Sequence, residues 1–384
     1  MRTGAKTAVA VGLLGILVGS YGMFERLAYG LNPVAFGSYV PWGLWVSFYL
    51  FFLGLSAGAF LVTTLTYVFG MKRLEALAPI SAFTVLVCLL CEGLFILLDL
   101  GTVSRAFYQF FLSPSFTSLL TWMLVLFSAM GAIYALKTYL LVRGGERRLV
   151  TLLSWISMPV GLLFYGTNGA FFAILANRPL WNSSLTPLLF IVAALLSGGA
   201  LITFLSYALL KNESSKACIG STACIDLGHV LKYLLILFLA LEVMQFSVGY
   251  VAAKPNLVAV LNYILTGPSW WVFWVVHLLI GSLVPLALLF FSGGDSKKVA
   301  LAALLIVVTF VAVRYDFVVP EFSVYPLDGL ESAFVHPRLS TAYAPNLNEW
   351  LVSVWIISLG LLAFTIGVSR IPVLTEANGG KYHE

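Results

Sequence analysis

The chain has 384 residues, of which 61% are hydrophobic and only 10% charged, with a net charge of +5. A soluble domain carries about 25% charged residues, so too little polar surface is present to cover a water-soluble core. With a mean hydropathy of +1.00, the sequence reads as an all-α, multi-spanning membrane protein. Its apolar runs continue over about 20 residues or more, which excludes the shorter, alternating strands of a barrel.

Ten runs are long enough to span, at 7–29, 41–69, 77–99, 117–142, 150–176, 186–210, 228–252, 269–291, 298–318 and 350–369, written α1 to α10 in chain order. The first follows Arg2 and Lys6 as a signal peptide would, but no small-residue cleavage site follows it, so it is read as a retained helix. Its Gly12, Gly15, Gly19 and Gly22 share one face, which suits close helix–helix packing. Fifteen of the 21 Lys and Arg, from Arg2 and Lys6 to Arg370 and Lys381 and including Lys137, fall on one set of ends; Arg26, Arg105, Arg178, Lys254, Arg314 and Arg338 fall on the other. The positive-inside rule then places both termini in the cytoplasm of a cell membrane. The net charge follows from this topology and implies nothing about nucleic acid. The extracytoplasmic segment 319–349 carries Glu321, Asp328, Glu331 and Glu349 and is expected to offer an acidic surface.

Cys88 and Cys91 within α3 read as ordinary packing. Cys218 and Cys224, expected in a loop near Asp226 and His229, match no standard metal spacing, so no metal is assigned.

The stretch "LSAGAFLVTTLTY" in α2 (55–67) resembles "LSGGALITFLSY" in α6 (196–207), and "CEGLF" in α3 aligns Glu92 with Glu242 of "LEVMQF" in α7. The expectation is a single membrane domain built from two parallel-related four-helix bundles, 41–176 and 186–318, with α1 and α10 peripheral. Chance similarity between apolar helices is the alternative.

Carboxylates are costly in hydrocarbon, and intramembrane ionisable residues usually face the bundle interior and mark ion, proton or substrate paths. Glu92 and Asp99 are seven residues apart, nearly two turns, so they share a face of α3 about 10 Å apart. Asn168, Glu242, Gln245, His277, Arg314 and Asp316 fall at similar, outer depths, and Tyr39, Trp42 and Trp45 enter α2 from the same side. Each has a plain alternative. Glu92 and Glu242 read as functional or as protonated carboxyls bonded to a neighbouring helix. Asp99 reads as functional or as a cap or partner of Arg105. His277 reads as functional or as a satisfied core histidine. Arg314 and Asp316 read as a proton path or as an ion pair. Trp270, Trp271 and Trp274 suit an interfacial belt. His229 and His277 sit at different depths, so a bis-histidine haem is not expected, and no iron–sulfur motif occurs in the chain.

"SYVPWGLWVSFYLFFLGLSAGAF" (38–60), "LLDLGTVSRAF" (97–107) and "YAPNLNEWLVSVWIISLG" (343–360) resemble segments of the NrfD/PsrC family, the polysulfide reductase type of membrane subunit, in its ten-helix branch with HybB and DsrP. Thr102 and Val103 replace the family's usual Arg-Pro, while Asp99, Gly101 and Arg105 match. The resemblance implies a quinone-reactive subunit of a respiratory oxidoreductase complex. Such a subunit is not catalytic alone and exchanges electrons between a diffusible quinone, menaquinone first, and a ferredoxin-like iron–sulfur partner, often extracytoplasmic. Glu92, Asp99, Glu242 and His277 are chemically suited to take the protons. Tyr39, Trp42, Asn168 and Arg105 are candidates to hold the ring, and Gln245, Arg314 and Asp316 to extend a proton path. A proton or ion transporter and a structural anchor remain the competing readings.

Overall fold

The computed structural model describes residues 3–210, 217–327, 329–334, 336 and 339–371. All ten expected spans form, and among the described residues there is no strand. They are α1 (Thr3–Tyr29), α2 (Leu44–Val68), α3 (Lys72–Asp99), α4 (Leu119–Arg143), α5 (Arg147–Ala173), α6 (Leu185–Leu210), α7 (Ala217–Val251), α8 (Val272–Phe290), α9 (Ser296–Val318) and α10 (Leu347–Arg370). The chain is therefore an all-helical, multi-pass integral membrane protein. Short helices, Val103–Leu112, Pro255–Thr266, Pro320–Ser323 and Leu330–Ala333, fill the connections.

Most ends fall within a few residues of the apolar runs. The exception is α7, which begins at Ala217 and runs for 35 residues. At 1.5 Å per residue it exceeds the ~30 Å hydrocarbon core. Cys224 and Asp226 lie on its extension rather than in a loop, because hydropathy marks where lipid ends and not where helix ends. Cys224 is buried on this helix with its thiol toward the Ser296 carbonyl at 3.7 Å, and the side chain of Cys218 lies outside the described residues.

The centre of the assembly is α2. Every residue from Leu44 to Thr63 is buried, and α2 packs against α3, α5, α6, α9 and α10. Its tightest contact is with α6. A Cβ on Gly58 would lie 2.3 Å from the Gly198 carbonyl oxygen, and one on Gly198 would lie 2.2 Å from the Gly58 nitrogen. One turn away, a Cβ on Gly54 would meet Ser197 Oγ at 2.6 Å. These are the two stretches that resemble each other in sequence, and they face one another across the crossing. On one side of it α2 contacts α3 and α5, α3 contacts α4, and α4 contacts α5; on the other, α6 contacts α7 and α9, and α8 contacts both α7 and α9.

The glycine face of α1 lies along α10. Cβ atoms on Gly12, Gly15, Gly19 and Gly22 would meet Leu362, Ser358, Leu351 and Trp355, and Leu351 again, all at 2.6 Å or less. The descending order on α10 makes the pair antiparallel, so α1 begins and α10 ends on one face, called the terminal face; the opposite one is the far face. Between α4 and α5 the chain reverses through Gly144, whose φ of 69° is a left-handed helix cap that a β-carbon would strain.

Two of the four acids expected on an outer surface after α9, Glu321 and Glu349, are buried instead. Glu321 is 1% exposed and accepts the Leu180 N–H at 2.5 Å, while Arg178 donates to the Glu321 carbonyl oxygen at 2.5 Å. Burial holds the Arg178 guanidinium below its ordinary range, and the Glu321 carboxylate opposes that shift. Glu349 is fully buried, accepting the Ala35 N–H at 2.9 Å and the Tyr343 hydroxyl, and its backbone oxygen takes Trp45 Nε1 at 3.1 Å. Burial pushes the Tyr343 hydroxyl well above the usual tyrosine range, with the Glu349 charge adding to the rise, so it stays protonated and donates. Both acids turn inward because free backbone N–H groups at the helix entries need acceptors. Asp328 and the side chain of Glu331 lie outside the described residues.

A Gly58→Val substitution forces two backbones apart. It is expected to lower stability by more than the about 1–3 kcal/mol of ordinary overpacking, read as loss of the monodisperse peak after mild heating in detergent. Gly131→Ala, whose Cβ would meet nothing nearer than 4.0 Å, should leave that peak unchanged.

Candidate functional site

The buried acid–base groups of the far half gather into two clusters rather than one. The first lies where α3 packs on α2, with α5 contributing from its own contact with α2. Glu92 is 1% exposed and its Oε2 has no hydrogen-bond partner. Tyr49 of α2 and Tyr165 of α5 are its near polar neighbours. The Tyr49 hydroxyl donates to Asn168 Oδ1, and Asn168 Nδ2 donates to the Phe164 carbonyl at 2.9 Å. Phe95, one turn along α3 from Glu92, stacks on Phe48 of α2 at 5.1 Å.

Two turns along α3, Asp99 closes the helix at 8% exposure with Oδ1 unpartnered. Its cationic neighbour is Arg26 of α1, not Arg105. Arg26 is 3% exposed and donates to the Leu98 and Leu100 carbonyls at 2.7 and 2.6 Å. The Arg26 and Glu349 charges are both felt at Asp99. Arg105 is exposed on the short helix Val103–Leu112. Tertiary packing overrides the short sequence separation: α1 brings Arg26 to a helix end whose last carbonyls lack partners.

The second cluster joins α7, α8 and α9. His277 is 1% exposed; its Nε2 lies 3.4 Å from Glu242 Oε2 and its Nδ1 4.0 Å from Asp316 Oδ2. An imidazole between two carboxyls can pass a proton from one ring nitrogen to the other. His277 sits in a π-helical stretch, Val272–Leu283, a geometry frequent at functional sites. The cluster borders a cleft of about 60 Å³, lined also by Gln245, Arg314 and the rings of Phe190, Phe238 and Phe273. That is room for water beside polar groups. Gln245 is committed to the Leu180 carbonyl at 2.8 Å.

Arg314 and Asp316 do not pair. Two residues apart on a helix they point to opposite sides. Arg314 lies over the Phe190 and Phe310 rings, centroids at 4.9 and 5.4 Å, with Nε and Nη2 unpartnered. Of the expected ring holders, Asn168 joins the Glu92 cluster. Trp42 is engaged by other aromatics, stacked on Trp181 at 6.0 Å with Phe322 at 5.6 Å, and half-buried Tyr39 packs edge-on to Tyr325 at 5.5 Å. The sequence reading missed Arg26, Tyr49 and Tyr165. The seven-residue spacing of Trp42, Tyr49, Ser56 and Thr63, a polar stripe on one face of α2, was the available signal.

Ten spanning helices around a glycine crossing, with carboxyls and a histidine buried in one half, define a polytopic membrane protein with ionisable groups enclosed in its interior. The family follows from comparison: the model "Polysulphide reductase, NrfD" matches residues 34–322, and the chain belongs to that family. A selenate reductase subunit of Mesobacillus selenatarsenatis is 29% identical over 94% of this chain and 92% of its own length. The Hdr-like menaquinol oxidoreductase integral membrane subunit of Archaeoglobus fulgidus is 28% identical over 90% and 88%. The menaquinone reductase integral membrane subunit of Nitratidesulfovibrio vulgaris is 22% identical over 93% and 89%.

Two charged hydrogen bonds to buried carbonyls are each worth about 1.5–3 kcal/mol. Arg26→Gln is therefore expected to lower the thermal midpoint of the solubilised protein, while Arg105→Gln leaves it unchanged. Thermal shift in detergent decides between them.

Proposed function

We propose that this chain is the quinone-reactive integral membrane subunit of a respiratory oxidoreductase complex, exchanging electrons between a menaquinone pool and an iron–sulfur partner subunit. The observation that carries the reading is the face of α3: Glu92 and Asp99, both buried, each keep an oxygen with no hydrogen-bond partner. Buried carboxyl oxygens are ordinarily satisfied, so this pair suits a ligand that brings its own hydroxyl or carbonyl groups. A quinol does so, and its oxidation releases two protons with two electrons. The names of the relatives, menaquinol oxidoreductase and menaquinone reductase among them, support the same substrate.

In this reading Glu92 and Asp99 each take a proton from the bound quinol. Asn168 orients the Tyr49 hydroxyl toward the ring, with Tyr39, Trp42 and Arg105 as further contacts on the approach. Glu242 and His277, extended by Asp316, form a second proton-exchanging group; Gln245 and Arg314 line its cleft. The charge asymmetry of the loops supports cytoplasmic termini, which puts the quinone-reacting half and the electron-carrying partner on the extracytoplasmic side of the cell membrane. The reading of 41–176 and 186–318 as two related bundles, with α1 and α10 outside them, belongs to the same proposal.

Loss of one positioned proton acceptor typically costs about 10²–10⁴ in rate. Glu92→Gln and Asp99→Asn are expected to lower quinol turnover of the purified complex by at least about a hundredfold, with all subunits retained. Wild-type turnover in both variants would contradict the assignment.

A further inference from the structure

Glycine in a membrane helix ordinarily lets a neighbouring backbone come close, as Gly58 and Gly198 do. Gly93 of α3 serves no such approach. A Cβ there would meet no neighbouring backbone within 4 Å, only the edge of one ring, Phe127 Cζ of α4 at 3.3 Å and Cε2 at 4.0 Å. The notch left by Gly93 is therefore filled by a half-buried side chain. Such a ring turns about two torsions on a fast timescale, where a packed backbone does not move.

On the α-helical wheel Gly93 is turned about 100° from Glu92, and Leu90 about 160° the same way. Leu90 is 45% exposed and Glu92 1%. Gly93 therefore stands between the lipid and the carboxyl at nearly one depth. The facing stripe of α4 changes character at Phe127. Leu120, Phe127 and Tyr134 recur every seven residues; Leu120 is exposed, Phe127 half-buried and Tyr134 fully buried. Because α4 starts at the far face, the seam between α3 and α4 is open to lipid in the far half as deep as Phe127. Below that point Met130 and Tyr134 are enclosed and Leu89 comes against Gly131. Behind Phe127 the ring of Phe164 follows at 6.4 Å, and that of Tyr165 lies 5.2 Å from Phe164. Tyr165 is in turn a near neighbour of Glu92. A row of aromatic rings thus leads from the lipid-facing seam to the buried carboxyl, and a flat aromatic molecule gains from stacking along it.

We propose that the far half of the α3–α4 seam is the entrance by which a prenylated naphthoquinone passes between the lipid and Glu92, with Phe127 as its gate and Gly93 as the notch that gives the ring room. The proposal rests on the quinone reading and adds where the substrate enters and where its tail lies. A menaquinone is a flat ring on a long prenyl chain. It dissolves in the lipid and reaches a site inside the bundle by sliding sideways between helices. Swinging Phe127 toward the lipid uncovers Phe164 and Tyr165 to the incoming ring. The tail is too apolar to leave the hydrocarbon, so it stays in the seam beside Leu90 and Leu124, which are 45% and 39% exposed. A bulky residue at position 93 fills the notch and wedges the gate, so the size of that residue selects what enters.

The test uses the whole complex in lipid and a menaquinone analogue carrying a diazirine in its prenyl tail, with mass mapping of the photoadducts. Adducts on residues 90–97 and 120–127 that excess unlabelled menaquinone displaces are the expected result. Displaceable adducts elsewhere on this chain overturn the entrance and leave the quinone reading standing. Displaceable adducts on another subunit alone, or none at all, overturn both. In the same complex Gly93→Leu is expected to lower kcat/KM for menaquinol at least about tenfold. Adding Phe127→Ala to it is expected to recover most of that loss, and Ser128→Ala, a change on the exposed side of α4, to leave the wild-type value. Wild-type kcat/KM in Gly93→Leu, or a loss that Phe127→Ala does not relieve, overturns the gate. If Gly93→Leu does not assemble, the tail label alone decides.

Discussion

The backbone contact between α2 and α6 is the constraint on which the rest of the structure depends. Lipid chains are as apolar as leucine, so helices in a membrane gain little from burying hydrophobic surface against each other and must gain from close packing instead. Gly54, Gly58 and Gly198 permit an approach that no larger residue would. Once α2 is committed to α6, its remaining faces are covered by α3, α5, α9 and α10, and every residue from Leu44 to Thr63 leaves the lipid. That enclosure allows α2 to carry Tyr49, Ser56 and Thr63 through the middle of the membrane. On a lipid-facing helix Tyr49 would lose its partner on α5, Asn168.

Within this frame the buried polar residues fall into two physical kinds. Glu321, Glu349 and Arg26 are satisfied by backbone groups at helix ends, and they fasten the far-face connections to the bundle. Glu92, Asp99, His277 and Asp316 retain unpartnered atoms. An unpaired buried donor or acceptor costs about 1–3 kcal/mol.

Hydropathy made the ten helices legible, because the cost of an unsatisfied backbone in lipid dominates every local preference. The glycine stripe of α1 and the matched segments of α2 and α6 were legible as spacing, and both pack as small-residue faces do. Glu92 and Asp99 were legible because carboxylates stand out in an apolar run. Partners were not legible. Arg105 is six residues from Asp99 and Arg26 is seventy-three before it, yet Arg26 is the neighbour, since α1 folds back across the end of α3. Asp316 and Arg314 look like a pair in sequence but point apart on the helix, and Asp316 turns to His277. Lys137, 0% exposed on α4, looked like one more cytoplasmic charge, because six residues separate it from Arg143 and a one-dimensional reading cannot tell a helix end from a helix interior.

The most direct measurement is photolabelling of the purified complex with an azido-naphthoquinone, followed by mass mapping of the modified peptides of every subunit. Label on the far-half segments of α2, α3 or α5, between residues 39 and 49, 92 and 105, or around 168, and its displacement by excess unlabelled menaquinone, is the expected result. Displaceable label confined to another subunit, or to the terminal half of this chain, would contradict a quinone site built on Glu92 and Asp99.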